Sequence, residues 1–170
     1  LFRSIQRAGE DLLRLDPDAV RKLNPAERLQ VIEQRIIKWT KELLAFDHFA
    51  IRILDERTTK LELVIKCNLP PEFDAFDIYA LPDGNGISGY VAATGRSYIC
   101  SDASRDELFL PGLSGAKSSL TVPLKHMDKV LGIMDIESLS PDAFTPDDRF
   151  LAETFGRYIA MAVHMLNLLV

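Results

Sequence analysis

Residues 84–95 read GNGISGYVAATG, and residues 117–138 read KSSLTVPLKHMDKVLGIMDIES. Their periodicities differ, and the difference decides the fold. Pro82–Gly86 is a cluster of turn formers. Ile87–Thr94 behind it fits a short helix, and Gly95 suits the left-handed position that ends one. The second stretch alternates with period two. Ser118–Lys125 and Val130–Ser138 read as strands paired around the turn His126–Lys129. Between the stretches lie a short strand, Ser97–Ser101, and a polar loop, Asp102–Lys117, carrying Pro111, Gly112 and Gly115.

Working outward, Phe49–Asp55 and Leu61–Cys67 read as two more strands joined by the polar turn Glu56–Lys60. Strict alternation puts Leu61, Leu63, Ile65 and Cys67 on one face and Glu62, Val64 and Lys66 on the other. Glu72–Leu81 is rich in aromatics and fits a helical turn and a short strand. Asn24-Pro25-Ala26-Glu27 is a helix-start signature, followed by Leu29, Ile32, Ile36, Trp39 and Leu43 at helical spacing. Thr145-Pro146-Asp147-Asp148 is a second, followed by Phe155, Ile159, Ala162, Leu166 and Leu169. Phe2, Ile5, Gly9 and Leu12 form a weaker stripe, and Asp16-Pro17 ends it or starts a new short helix. The hairpin connections are too short for parallel crossovers, so the class is α+β with an antiparallel sheet.

Length and composition bound the function. A chain of 170 residues suits one domain. A net charge of −5 argues against a broad basic face for DNA, RNA or an anionic membrane. The cysteines, Cys67 and Cys100, are far apart and in no CxxC pair, which argues against structural zinc or a disulfide framework and for the cytoplasm. No apolar stretch spans a bilayer, because His164 and Asn167 interrupt the tail. There is no signal-peptide pattern, and the chain begins at Leu1 without Met, as a piece of a longer protein would.

Several motifs then occur in a fixed order: Gly84, Gly86, Gly89 and Val91 as GxGxxGxV; Ala92–Gly95; Ser101-Asp102-Ala103; Arg105-Asp106; Lys117–Leu124; Gly132–Ser138; and Ala143-Phe144-Thr145. In this order they resemble the GAF family over about residues 25–168. A dinucleotide fingerprint is the other reading of the glycines, but it needs a buried parallel strand that Tyr79–Asp83 does not supply. The resemblance implies a central antiparallel sheet with long N- and C-terminal helices on one face. A short helix and loops roof a small-molecule pocket on the other. It divides the chain into a linker or signalling helix, 1–23, and a GAF-like domain, 24–170.

The resemblance also implies pocket residues: Ile87, Ser88, Tyr90 and Val91 on the short helix, Asp102 and Phe109 in the loop, and Ser119 on the next strand. Bulky Phe73, Phe76 and Tyr79 would fill that pocket if they turned inward. The marks of the known subgroups are largely missing. The cyclic-nucleotide pattern keeps Phe144 and the acid Asp147 but lacks the Asn-Lys pair at Glu137-Ser138. The loop has no Cys for a bilin. His48, His126 and His164 fall at a helix–strand junction, a turn and the last helix, and are expected as surface or capping residues rather than haem ligands. Asp135 and Glu137 share a strand face and are expected at a rim, with no His or Lys beside them. No cofactor is assigned.

The expected function is a non-catalytic, small-molecule-sensing and dimerising regulatory domain of a larger signalling protein, such as a sensor kinase, cyclase or transcriptional regulator. The homodimer is expected through the terminal helices, because the last helix carries apolar residues around more than one face. Two alternatives are a ligand-free dimerisation scaffold and a thiol-dependent free methionine sulfoxide reductase.

Overall fold

Asn24 starts the first long helix as its sequence requires. Its side chain accepts the Glu27 N–H at 2.9 Å, and the Glu27 carboxylate accepts the Asn24 N–H at 3.0 Å. Thr145 and Asp148 make the same reciprocal pair at the start of the last helix. The computed structural model describes residues 2–111 and 114–168. In chain order the elements are α1 (Phe2–Leu12), α2 (Pro17–Arg21), α3 (Pro25–Leu43), β1 (His48–Leu54), β2 (Leu61–Cys67), α4 (Gly86–Thr94), β3 (Tyr98–Cys100), β4 (Ser118–His126), β5 (Lys129–Ser138) and α5 (Pro146–Leu168). A single 3₁₀ turn spans Pro71–Ala75, and Tyr79 then makes one bridge to Lys60, extending the edge beyond β2. None of the helices, among the described residues, is long and apolar enough to cross a membrane.

The strands form one sheet in the order β2-β1-β5-β4-β3, and every pairing is antiparallel. The fold is α+β, as expected. One register feature departs from strict alternation. Ile51 pairs with Ile65 but Arg52 pairs with Leu63, so β2 carries a bulge at Val64. The bulge splits the expected apolar face of β2. Ile65 and Cys67 join the core under the helices, while Leu61 joins a second cluster on the opposite face.

The main core lies between the sheet and α1, α3 and α5. Phe49 and Ile51 of β1, Leu120, Val122 and Leu124 of β4, and Met134 and Ile136 of β5 meet Ile32, Ile36, Phe155, Ile159 and Leu166. The segment expected as a linker packs into the same core through Ile5, Ala8, Leu12 and Val20. Only Phe2 of its stripe points out, at 81% exposure. Trp39 Nε1 donates to Asp11 at 2.9 Å, and Arg35 donates to the carbonyls of Asp11 and Arg14 at 2.9 and 2.8 Å, which satisfies the C-terminal end of α1. Gly9 lets α1 approach α5 closely, since a Cβ there would lie 2.4 Å from the Tyr158 ring. Much of the apolar surplus on α5 is therefore covered by α1, α3 and β4 within the chain. Leu169 of that stripe lies outside the described residues.

Candidate ligand pocket

Alternation puts a different set of side chains on the sheet face away from the helices. From β1 they are His48, Ala50 and Arg52; from β4, Ser119 and Thr121; from β5, Asp135 and Glu137. Cys100, Ile133 and Leu61 complete that face and pack against Ile87, Val91 and Ala92 of α4. Where the face carries Ala50 and Ser119 in place of large residues, a cavity of about 240 Å³ opens. Its roof is the first turn of α4, Phe73, Phe76 and Ile78 from the segment after β2, and Phe109–Pro111 of the loop.

The glycines place that roof. Gly86 has a φ of +67°, which starts α4 in a conformation costly to side chains. A Cβ on Gly89 would lie 2.6 Å from the Tyr79 carbonyl, so only glycine lets α4 sit on residues 79–81. Asn85 uses its side-chain oxygen to accept the Tyr79 N–H at 3.0 Å, and it does not cap α4. The opening turn of α4 therefore borders the cavity without a side-chain cap.

The floor is polar and buried. The Thr121 hydroxyl donates to Asp135 Oδ1 at 2.9 Å. Burial, reinforced by the neighbouring Glu137 carboxylate, pushes Asp135 well above the usual carboxylate range, while Thr121 and Arg52 pull it back. Asp135 is half-buried, and part of its surface faces the cavity. His48 Nε2 lies 3.1 Å from Glu137 Oε1, with the side chains only 6% and 7% exposed. That distance suits an ion pair if the imidazole is protonated, but the direction is too poor for a hydrogen bond. Arg52 donates to the Leu61 carbonyl at 3.1 Å, and its guanidinium lies 5.7 Å from the centre of the Phe73 ring. Ser119 Oγ, almost wholly buried, has no hydrogen-bond partner among the described residues.

Ile87, Ser88, Phe109 and Ser119 line this cavity. Tyr90 and Val91 do not. The cavity lies under the first turn of α4 only. Further along, Val91 packs on the second apolar cluster and Tyr90 stacks edge-on against Tyr98 at 5.8 Å. Asp102 also lies elsewhere, in a second, more open depression lined by the loop itself and Pro141. Its carboxylate accepts the Ser104 N–H and hydroxyl at 3.0 and 2.6 Å, which shapes the loop and lowers its pKa. Phe73 and Phe76 turn toward the cavity without filling it, and Tyr79 does not line it.

Two expectations are corrected. Asp135 and Glu137 form the floor, not a rim, and a histidine does accompany them. His48 is buried rather than superficial. His126 and His164 stack on each other at 4.1 Å, between β4 and α5. Arg52, missed in the sequence, stood out only as a lone charge in the apolar run Phe49–Leu54.

The thiols are far from each other. Cys67 is on β2 and Cys100 on β3, the two edges of the sheet, and they belong to clusters on opposite faces. Burial, with Asp106 nearby, pushes the Cys100 thiol up to about 12. Asp106 also accepts the Tyr98 hydroxyl at 2.7 Å.

Comparison with solved structures supports the same fold. The GAF domain of an Acinetobacter phosphoenolpyruvate-protein phosphotransferase aligns over 98% of this chain and 94% of its own, at 19% identity and a TM-score of 0.73. A free methionine-R-sulfoxide reductase from Neisseria meningitidis, solved with its substrate, aligns over 98% and 89%, at 14% identity and 0.78. A type II free methionine-R-sulfoxide reductase from Thermoplasma acidophilum aligns over 86% and 96%, at 16% identity and 0.71. At such identities the likeness is one of fold. No curated protein matches by sequence. The family model described as GAF domain matches residues 26–164, most of the chain, and with the sheet order and the roofed pocket this places the protein in the GAF domain family.

Proposed function

We propose that the chain is a non-catalytic sensing module of a larger signalling protein, in which a small molecule enters the cavity and biases the terminal helices. One observation carries this reading: a cavity of about 240 Å³ with a buried polar floor and an apolar roof. Pockets of this make-up are the usual small-molecule sites, and this one lies a little below their usual range of about 300–1,000 Å³, which suits a small ligand. Strands β4 and β5 floor the cavity on one face and hold α5 on the other, so a change at the floor has a short path to the helix. Sensing requires the ligand to bind two helix arrangements unequally. Dimerisation through the terminal helices belongs to the same proposal, supported by Phe2 and Phe150, which stay 81% and 53% exposed on α1 and α5. Sedimentation equilibrium tests the dimer, with Phe150→Glu expected to shift it toward monomer. A thermal-shift screen of small metabolites tests the sensing. Stabilisation by one class, lost when the floor is altered, is the expected result, and a screen without any stabilisation leaves the ligand-free scaffold.

The reductase reading is favoured by the fold shared with two such enzymes. The cysteines count against it. Reducing a sulfoxide with two thiols leaves a disulfide, whose Cα atoms lie within about 7 Å. The edges of a five-stranded sheet are about 19 Å apart, and these thiols face opposite ways. The expected result is no turnover of free methionine sulfoxide with a dithiol reductant. Turnover abolished by Cys67→Ser or Cys100→Ser would establish the enzyme instead.

A further inference from the structure

We propose that the ligand of this cavity is a small organic cation, a primary ammonium or amidinium on an apolar body, held by Asp135 and Glu137 with Ser119 beside them. The inference rests on the sensing reading above and names its ligand class. The roof fits the body of such a compound: Ile87, Phe76 and Phe109 supply apolar walls over a volume that would hold about eight waters.

The floor fits its head. The ionisable groups facing the cavity are Arg52 on β1, Asp135 and Glu137 on β5, and Asp77 at the mouth; His48 stands behind Glu137. No ionisable side chain of α4 or β4 faces the cavity among the described residues. Asp77 is exposed and lies 3.2 Å from Lys60, so it adds little to the field inside. That leaves the half-buried Asp135, the buried Glu137 and the buried Arg52 guanidinium. The charges balance in three ways: with Asp135 protonated, with the His48 imidazole protonated beside Glu137, or with a cation in the cavity. Thr121 occupies one oxygen of Asp135. The two carboxyl groups stand two residues apart on one strand face, about 7 Å between Cα atoms, and an ammonium fits between them. Ser119 Oγ, buried and without a partner among the described residues, gives it a further acceptor. An anionic ligand meets two acids instead, and a neutral one gains nothing from their charge.

The proton balance follows. In an empty cavity, burial and the Glu137 charge favour the protonated form of Asp135. When the ammonium arrives, that proton leaves for solvent and the carboxylate faces the cation. Binding therefore releases up to one proton, and affinity rises with pH until the amine itself loses its proton, near 10.

The test is titration calorimetry of the intact chain with three matched sets of probes. They are n-hexylamine and benzylamine, hexanol and benzyl alcohol, and hexanoate and benzoate. Measurements run at pH 7 in two buffers of different ionisation enthalpy. Thermal melts confirm that Asp135→Asn and Glu137→Gln are folded. The expected result is binding by the amines alone, proton release in the wild type, and at least tenfold weaker binding in each variant. The release should vanish in Asp135→Asn, which a merely structural role would not produce. Alcohols or acids binding as tightly as amines, or amines binding the variants unchanged, would overturn the cation and leave sensing intact. No binding by any of the three sets overturns both.

Discussion

Replacing Asp135 by Asn tests whether the cavity floor keeps a proton. The substitution keeps the shape and the oxygen that accepts the Thr121 hydroxyl, and removes only the ionisation. Burial and the Glu137 charge raise the carboxyl above its unfolded value, near 3.8. Below pH 3.8 both states hold the proton, and the site costs nothing. Above it the unfolded chain releases the proton while the folded one keeps it, so stability falls as pH rises. The slope for one proton is about 1.4 kcal/mol per pH unit, from 3.8 up to the raised folded value. Asp135→Asn has no such slope. Urea unfolding of both proteins at pH 4, 5, 6 and 7 isolates it, because the other carboxylates are common to both and cancel in the difference. The variant should match the wild type near pH 4 and gain on it by about 1.4 kcal/mol with each further unit inside that window. A flat difference across the series would refute a protonated Asp135 and with it the proton release on cation binding.

The other expectations are local. Gly89→Val drives a Cβ to 2.6 Å from the Tyr79 carbonyl, which should cost about 1–3 kcal/mol in urea unfolding and open the roof. Ala50→Leu places three more carbons into the cavity from a buried position; the melting temperature should hold or rise while binding of n-hexylamine disappears. Gly9→Val collides with the Tyr158 ring, so α1 should exchange amide hydrogen faster while α3 keeps its protection. With its thiol pushed up to about 12, Cys100 should react with a disulfide reagent in the native protein far more slowly than in urea.

What the sequence could tell depended on how local each signal was. The helix starts at Asn24 and Thr145 and the helix end at Gly95 are written within four residues, and each has the expected bonds or φ. The bulge at Val64 was not legible, because it is a property of the β1–β2 register and not of β2 alone. His48 looked superficial for the same reason. It becomes a neighbour of Glu137 only through the β1–β5 pairing, which joins positions 89 residues apart. The broad apolar cover of α5 was read as a dimer signal. Much of it faces α1, whose weak stripe, broken by Gly9, concealed how tightly it packs.

The cavity itself was written in residue volume and polarity, though not in any motif. Strand by strand, the helix side carries Phe49 and Ile51, Leu120 and Val122, Met134 and Ile136. The pocket side carries Ala50 and Arg52, Ser119 and Thr121, Asp135 and Glu137. A layer of large apolar residues fills the space under three helices and excludes water. A layer of small and ionisable ones cannot fill the space under a single nine-residue helix and a loop. Burying two carboxyl groups there works against stability, as the raised Asp135 records. A sheet serving only as a scaffold for helices would gain by carrying leucine at those positions. Retaining acids on a face where apolar residues would stabilise the fold more is what a binding site requires, and it supports the proposed ligand at this floor more directly than the glycine-rich turn that identifies the family does.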